Sequence, residues 1–321
     1  MSAVTRGGIV LAMLVCLGTA AAPPPPVSEP KLWGEGVIST RDDEFGAQIV
    51  AGGPEGDTVF FDKTVPRSQL YTILVSHRAG GSWSPPEVAP FSGTWRDSDP
   101  VLSGDGRRIF FVSDRPRDGK PVQDFDIWYV ERIASGWSEA RHLDGPPNSQ
   151  GSEYFASTTR DGTLYFSSNR PGSLGGIDVW RSRLVDGHYS EPENLGGVIN
   201  GPGWTNIEAL VAPDESFLLI GAFGRGADPG DSGLYVSYRK DGVWQPVQSL
   251  RAGVNSPARD YSPRFSPDGR SLFFASERGL PTQPRTRMTH RELVDAMHST
   301  LNGLGNIYEV DLKAALPPPG S

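Results

Sequence analysis

The sequence predicts an all-β fold: a five-bladed β-propeller with four-stranded blades, the last blade closed by the N-terminal strand, and one short inserted helix. Three observations predict it. An apolar pair returns five times, as Phe60-Phe61, Phe110-Phe111, Tyr165-Phe166, Leu218-Leu219 and Phe273-Phe274, at spacings of 50, 55, 53 and 55 residues. A second phrase follows each pair, as Gln69-Leu70-Tyr71, Asp126-Ile127-Trp128, Asp178-Val179-Trp180, Gly233-Leu234-Tyr235 and Asn306-Ile307-Tyr308. Such a period, built from short strand-like runs, marks a propeller or a related repeat array. Finally, 39 glycines and 29 prolines in 321 residues fall between those runs rather than in one tract, as turns of an all-β chain do.

The elements follow in order. Arg6 precedes an apolar stretch from Gly7 to Leu17, and small residues run from Gly18 to Ala22. This order is that of a secretory signal peptide, expected over residues 1–22. The apolar run is too short to span a bilayer, so no transmembrane segment is expected. Residues 23–31, opening with Pro23 to Pro26, read as a stiff extended linker. Residues 32–313 read as the propeller and 314–321 as a disordered tail. A periplasmic or secreted location is expected, with a lipid anchor at Cys16 as the alternative. Cys16 is the only cysteine, so the processed chain can form no disulfide.

One unit serves as the template. Asp97 to Leu102 forms a short strand entering the turn Ser103-Gly104-Asp105-Gly106, where Asp-Gly signals a tight reversal. Arg108 to Val112 follows, apolar on both faces as an inner strand sandwiched between sheets should be. Ser113-Asp114-Arg115-Pro116 ends it, a loop leads to Asp126 to Val130, and a turn leads to Trp137-Ser138-Glu139. That is the strand content of one propeller blade. The order recurs around Asp161-Gly162 with Ser168-Asn169-Arg170, and around Asp268-Gly269 with Ser276-Glu277-Arg278. The first and fourth copies are degraded, with Asp57-Thr58 and Asp214-Glu215 in place of Asp-Gly.

These residues resemble the PD40 repeat, the WD40-like propeller repeat of the periplasmic TolB family. Ser266-Pro267-Asp268-Gly269-Arg270-Ser271-Leu272-Phe273-Phe274-Ala275-Ser276 is the fullest copy. The resemblance implies a propeller of the kind found in scaffolds, sensors and accessory domains of exported bacterial proteins. Nothing in the chain corresponds to the α/β domain that precedes the propeller in that family.

The aromatics Trp33, Trp83, Trp137, Tyr189 and Trp244 recur on the outer strands at spacings of 50, 54, 52 and 55. The first precedes any apolar pair and none follows the last pair, so the series is offset by one strand. Leu32 to Thr40 is therefore expected to complete the fifth blade, closing the ring and removing an exposed sheet edge.

The first strand of each blade lines a propeller's channel. Eight residues before each Asp-Gly turn stand Asp97, Glu153, Asn206 and Asp260, and Glu44 takes that place in the first copy. A ring of acids at one channel mouth could hold a cation, a sugar or a basic peptide. Alternatively, Arg115, Arg170 and Arg278 end the second strands at the same level, so Asp97, Glu153 and Asp260 would pair with them as a structural ring. Glu44 and Glu208, two beyond Asn206, lack an obvious arginine and are candidate ligand-binding carboxylates. Arg225 could answer Glu208 if Phe223-Gly224-Arg225 replaces the missing motif. Asp97-Ser98-Asp99 and Asp124-Phe125-Asp126 resemble fragments of calcium loops without the remaining spacing, and read as solvated turns.

One departure from the repeat lies between Arg278 and Gly305. Thr289-x-x-Glu292 is a capping box, with Leu293, Val294, Met297 and Leu301 at helical spacing and Gly303 as a stop. A helix from His290 to Leu301 is expected on the channel-mouth face, either covering the channel and packing on a blade or binding a partner. His290 and His298 are eight apart on a similar face, without an evident third metal ligand. No Gly-x-Ser-x-Gly elbow, HExxH motif or P-loop appears, and no cofactor is expected. The net charge of −8 argues against nucleic acid as the main partner. Two readings remain: a non-catalytic, monomeric propeller that binds a protein, peptide or envelope polymer at its channel mouth, or a carbohydrate-active enzyme using channel carboxylates.

Overall fold

Five antiparallel sheets follow one another along the chain in a computed structural model that describes residues 29–53, 56–66, 70–117, 124–226, 232–251, 253–280 and 284–320. Residues 1–22, where a leader is expected, lie outside these residues, Cys16 among them. Blade one comprises Asp43–Gly53, Gly56–Thr64 and Tyr71–Ala79, and blade two Asp97–Leu102, Arg108–Ser113 and Asp126–Ile133. Blade three comprises Glu153–Thr158, Leu164–Ser168 and Asp178–Ser182, and blade four Thr205–Val211, Phe217–Phe223 and Ser232–Lys240. Blade five has Asp260–Phe265, Ser271–Ser276 and Asn306–Asp311. First strands of successive blades pack side by side, and that of blade five meets that of blade one. The molecule is a five-bladed β-propeller.

The fourth strand of the first four blades is completed by short pieces after the third strand: Glu87–Val88, Arg141–His142, Glu193–Asn194 and Gln248–Ser249. In blade five the piece is Lys31–Leu32, which pairs with Glu309 and Tyr308 of the third strand. The ring is therefore closed by the N-terminal strand. The aromatic series needs one revision. Trp33 donates its backbone N–H to Ile307, as Leu143 does to Ile127 and Leu250 to Leu234, so it lies further along the strand than the other aromatics. Each of those packs on the preceding blade: Trp137 on Phe60 and Trp244 on Tyr165. Trp33 fills the last seam by stacking edge-on against both Trp83 and Phe273, with centroids 5.5 and 4.9 Å away.

Five apolar clusters hold the fold, one at each seam between blades. Phe60, Phe111 and Ile73 belong to the seam of blades one and two, Phe110 and Phe166 to the next, and Phe274 and Leu234 to that of blades four and five. Each buried ring contributes on the order of 2–3 kcal/mol. Two repeat phrases are shifted from their sequence alignment. Trp128, Trp180 and Tyr308 lie opposite Phe111, Phe166 and Phe274, whereas Tyr235 lies opposite Ile220. The inner pair of blade four is thus Leu219-Ile220, because a strand apolar throughout does not fix its own register. In blade one Leu74 lies opposite Phe61, so the phrase is Thr72-Ile73-Leu74 and Tyr71 is left at the channel mouth.

The inserted helix spans His290–Met297 with the expected capping box, one turn shorter than the apolar spacing suggested. None of its residues is buried, so it does not pack on a blade. Asp311 caps a helical turn, Leu312–Ala315, whose Ala315 is buried, and the Tyr238 hydroxyl donates to the carbonyl of Pro317.

Candidate functional site

The predicted acids fall on one level where each first strand begins. Glu44, Asp97, Glu153, Asn206 and Asp260 are each fully buried and pair across to the end of the second strand of their own blade. Arg115 lies 3.1 Å from Asp97, Arg170 3.0 Å from Glu153 and Arg278 2.8 Å from Asp260. Each arginine also donates to carbonyls of the segment entering its blade: Phe91 for Arg115, Pro146 and Pro147 for Arg170, Gly253 and Val254 for Arg278. Each stacks on two rings as well, Arg170 on Phe166 and Trp180. Burial holds the Glu153 carboxyl above its ordinary range and lowers the Arg170 guanidinium. An acid answered from three directions is poorly placed to bind anything else.

The degenerate blades fill the same level differently. Glu44 lacks an arginine but not partners. Lys63, on the second strand where the other blades carry serine or alanine, reaches it at 3.2 Å, and Thr40 donates to it through its N–H and hydroxyl. With no exposed surface, Glu44 is not an open carboxylate. Arg225 does replace the missing arginine of blade four, but its partner is Asn206 at 2.6 Å, not Glu208. It also donates to the Ile199 carbonyl and stacks on Trp204 and Tyr235. Meeting a neutral amide rather than a carboxylate, Arg225 is lowered by burial to about 10.

Two residues further in, the blades diverge. That position holds Gly46, Asp99, Phe155, Glu208 and Ser262. A bulge interrupts every first strand here, and Gly46, Asp99, Phe155 and Ser262 adopt φ of 67°, 58°, 44° and 54°. Asp99 is therefore no solvated turn. It sits on the channel floor with Asp62, Glu208 and Arg264. The Asp99 N–H donates to both oxygens of Asp62 at 3.2 and 3.1 Å, and the Ser262 N–H donates to Glu208 Oε2 at 2.7 Å. Arg264, fully buried, lies 3.4 Å from Asp99, donates to the Pro100 and Pro263 carbonyls, and stacks on Phe155. Two glycines make the room: a Cβ on Gly46 would collide with Asp62, and one on Gly221 with Glu208.

Three carboxylates thus stand around Arg264, which pairs with Asp99 among them. Burial, then the charge of Asp99, raises Glu208 to about 7. The same two causes raise Asp62 well above its ordinary value, and burial raises Asp99 despite Arg264. Above this floor opens a cavity of about 580 Å³ at the channel mouth. Its walls carry Tyr71, Phe125, Tyr154 and Tyr261 together with Asp43, Glu277, Arg96 and Arg259. Arg96 is held by Asp114 at 2.7 Å and stacks on Phe125, while Arg259 stacks on Tyr261 with Glu277 at 3.8 Å.

Other sequence candidates lie elsewhere. Gly303 and Leu304, after the inserted helix, touch the cavity rim, and Asn302 bonds the Arg41 carbonyl. His290 and His298 are exposed on that helix, and no cluster of metal ligands occurs among the described residues. Asp124 and Asp126, the other supposed solvated turn, bind Arg117, and Asp126 also bonds His142 at 2.9 Å. That contact raises the imidazole, since Asp126 favours its charged form.

The floor was missed although the sequence marks it. Asp62 directly follows the buried pair Phe60-Phe61, where the other blades carry Val112, Ser167, Gly221 and Ala275, and Arg264 stands where the other blades carry Gln48, Val101, Ser157 and Leu210. Also missed were Asn148, Asn200 and Asn255, which bracket the backbone of Ile127, Val179 and Leu234 and fasten each third strand to the next blade's entry. Their spacing of 52 and 55 residues is the repeat period.

No family model and no curated protein matches this chain. Among solved structures, a BT0996 RGII complex aligns at a TM-score of 0.51 with 9% identity, over 92% of this chain and 93% of that protein. A family 117 glycoside hydrolase from the marine bacterium Zobellia galactanivorans aligns at 0.50 with 13% identity, over 88% and 90%. A puromycin-hydrolyzing peptidase from Mycobacterium tuberculosis aligns at 0.39 with 14% identity over 80% of this chain, which spans 41% of that protein's length. At these identities the likeness to the first two shows a shared propeller fold.

Proposed function

We propose that this chain is an exported, PD40-type propeller that binds a glycan in its channel mouth. The observation that carries this reading is the 580 Å³ cavity, whose walls are aromatic and whose floor is polar and buried. Its volume falls within the range of small-molecule sites. Tyr154 and Phe125 offer ring faces to the C–H faces of a sugar, and Asp99, Glu208 and Arg259 offer charged hydrogen-bonding groups to its hydroxyls. A recess of this kind suits the end of an envelope polymer better than a flat protein surface. The leader supports export, and the Ser-Pro-Asp-Gly turn supports the repeat type.

A second reading, glycoside hydrolysis, is favoured by one observation. Glu208, raised to about 7 beside Asp99, has the protonation a general acid needs near neutrality. A panel of neutral, acidic and amino glycans, measured by calorimetry and by reducing-end release, separates the two. Binding without release, weakened at least about tenfold by Tyr154→Ala, is the expected result, tenfold being about 1.4 kcal/mol. Release that disappears in Glu208→Gln would establish the enzyme instead, and a panel with no binder would remove both readings.

A further inference from the structure

The glycan reading leaves the class of glycan open, and the floor of the cavity narrows it; this step rests on that reading. Asp62, Asp99 and Glu208 do not have equal partners. Asp62 takes the Asp99 N–H on both oxygens. Asp99 has Arg264 at 3.4 Å and the Ser262 hydroxyl at 3.3 Å. Glu208 has the Ser262 N–H on Oε2, and among the described residues no group bonds its Oε1 and no cation lies within ion-pairing distance. Yet its residue is only 4% exposed, and that remaining surface lines the cavity. The missing donor has one way in, from the cavity.

The protein does not supply it. Arg264 is committed to Asp99 and to two carbonyls, and Arg96 to Asp114. Arg259 lies over Tyr261 and faces Glu277 at 3.8 Å, and although its Nε has no hydrogen-bond partner among the described residues, it stands outside ion-pairing distance of Glu208. Carboxylates exceed guanidinium groups on this surface, and the walls present aromatic faces, which attract a cation as well as a sugar ring. We propose that the channel-mouth cavity takes an amino glycan, its primary ammonium docking on Glu208 Oε1 with Asp99 as the second carboxylate of the subsite. Burial raising Glu208 fits this picture, because an arriving ammonium supplies the charge that the floor lacks.

The test compares a glucosamine tetramer with an N-acetylglucosamine tetramer at neutral pH by calorimetry, on the whole chain. The two share ring size and linkage and differ in the amine. One new ion pair in a dry site predicts at least about tenfold tighter binding of the glucosamine tetramer, or about 1.4 kcal/mol. In Glu208→Gln, and in Asp99→Asn should the first variant not fold, that ratio falls towards one. Equal or tighter binding of the N-acetylated tetramer by the unaltered protein overturns the amine assignment while the glycan reading stands, as does a preference that survives in a folded Glu208→Gln. Failure of both tetramers, together with every other glycan of the panel, overturns the assignment and the glycan reading alike.

Discussion

Glu153 and Glu208 are both buried carboxylates, and one difference separates their roles. Glu153 meets Arg170, Ser149 and Ser168, whereas Glu208 meets one backbone N–H. Removing one member of a satisfied pair strands the other in a dry place, so Glu153→Ala and Arg170→Ala should each cost about 3 kcal/mol or more. The double variant should cost well below their sum in chemical denaturation; additive losses would show that the two do not act as a unit. Much of this level was legible. The triplet Ser-x-Arg recurs with an acid 17 or 18 residues before its arginine, and residues in that pattern do come together. Glu208 was visible as an acid out of place, and Asp62 and Arg264 only as charges unmatched at their repeat positions, with no sign of what they meet. Their partner lies across the channel, at a sequence separation that no local pattern encodes.

At the scale of the element, burial decides what each segment is worth. The N-terminal strand is two residues long, yet it completes a sheet and places Trp33 in the seam between blades five and one. The inserted helix is longer and buries nothing. Trp33→Ala should therefore lower global stability by about 2–3 kcal/mol, below the cost of a fully buried Trp because this one is half-buried. Thr289→Ala, which removes the hydroxyl that accepts from the Glu292 N–H and leaves the Thr289 backbone bond to the Glu292 carboxylate, should cost the helix about 1 kcal/mol. It should leave the thermal midpoint unchanged, with the loss visible in amide exchange of residues 290–297. A shifted midpoint for Thr289→Ala would mean that the helix packs on the propeller. The helix and its cap were readable because capping is local. That its apolar face stays unpacked was not, because periodicity signals an amphipathic face without saying what covers it. The same limit hid the register of blade four, where Phe217–Phe223 is apolar at nearly every position.

At the scale of the molecule, a near-symmetric ring carries an asymmetric charge in its channel. The repeat period and offset closure prescribe the ring, and the asymmetry arises from Asp62, Asp99, Glu208 and Arg264, which blades one, two, four and five supply from three different positions of the repeat. This charge has a sign that stability should report. Glu208 titrates at about 7 in the folded chain, above the ordinary 4.5. A raised carboxyl contributes stability fully present below pH 4.5 and lost as pH rises through 7. The span corresponds to about 3 kcal/mol. Between pH 5 and 8 the unaltered protein should therefore lose more stability than Glu208→Gln.

The central claim is that the channel floor leaves Glu208 short of a partner and thereby makes it the point of ligand contact. The most direct measurement is a ¹³C NMR pH titration of the Glu208 side-chain carboxyl, assigned through Glu208→Gln. A midpoint near 7 in the free protein, moving down when the glucosamine tetramer is added, is the result expected. A midpoint near 4.3, the value of an unperturbed glutamate, that the tetramer leaves unmoved would contradict the account.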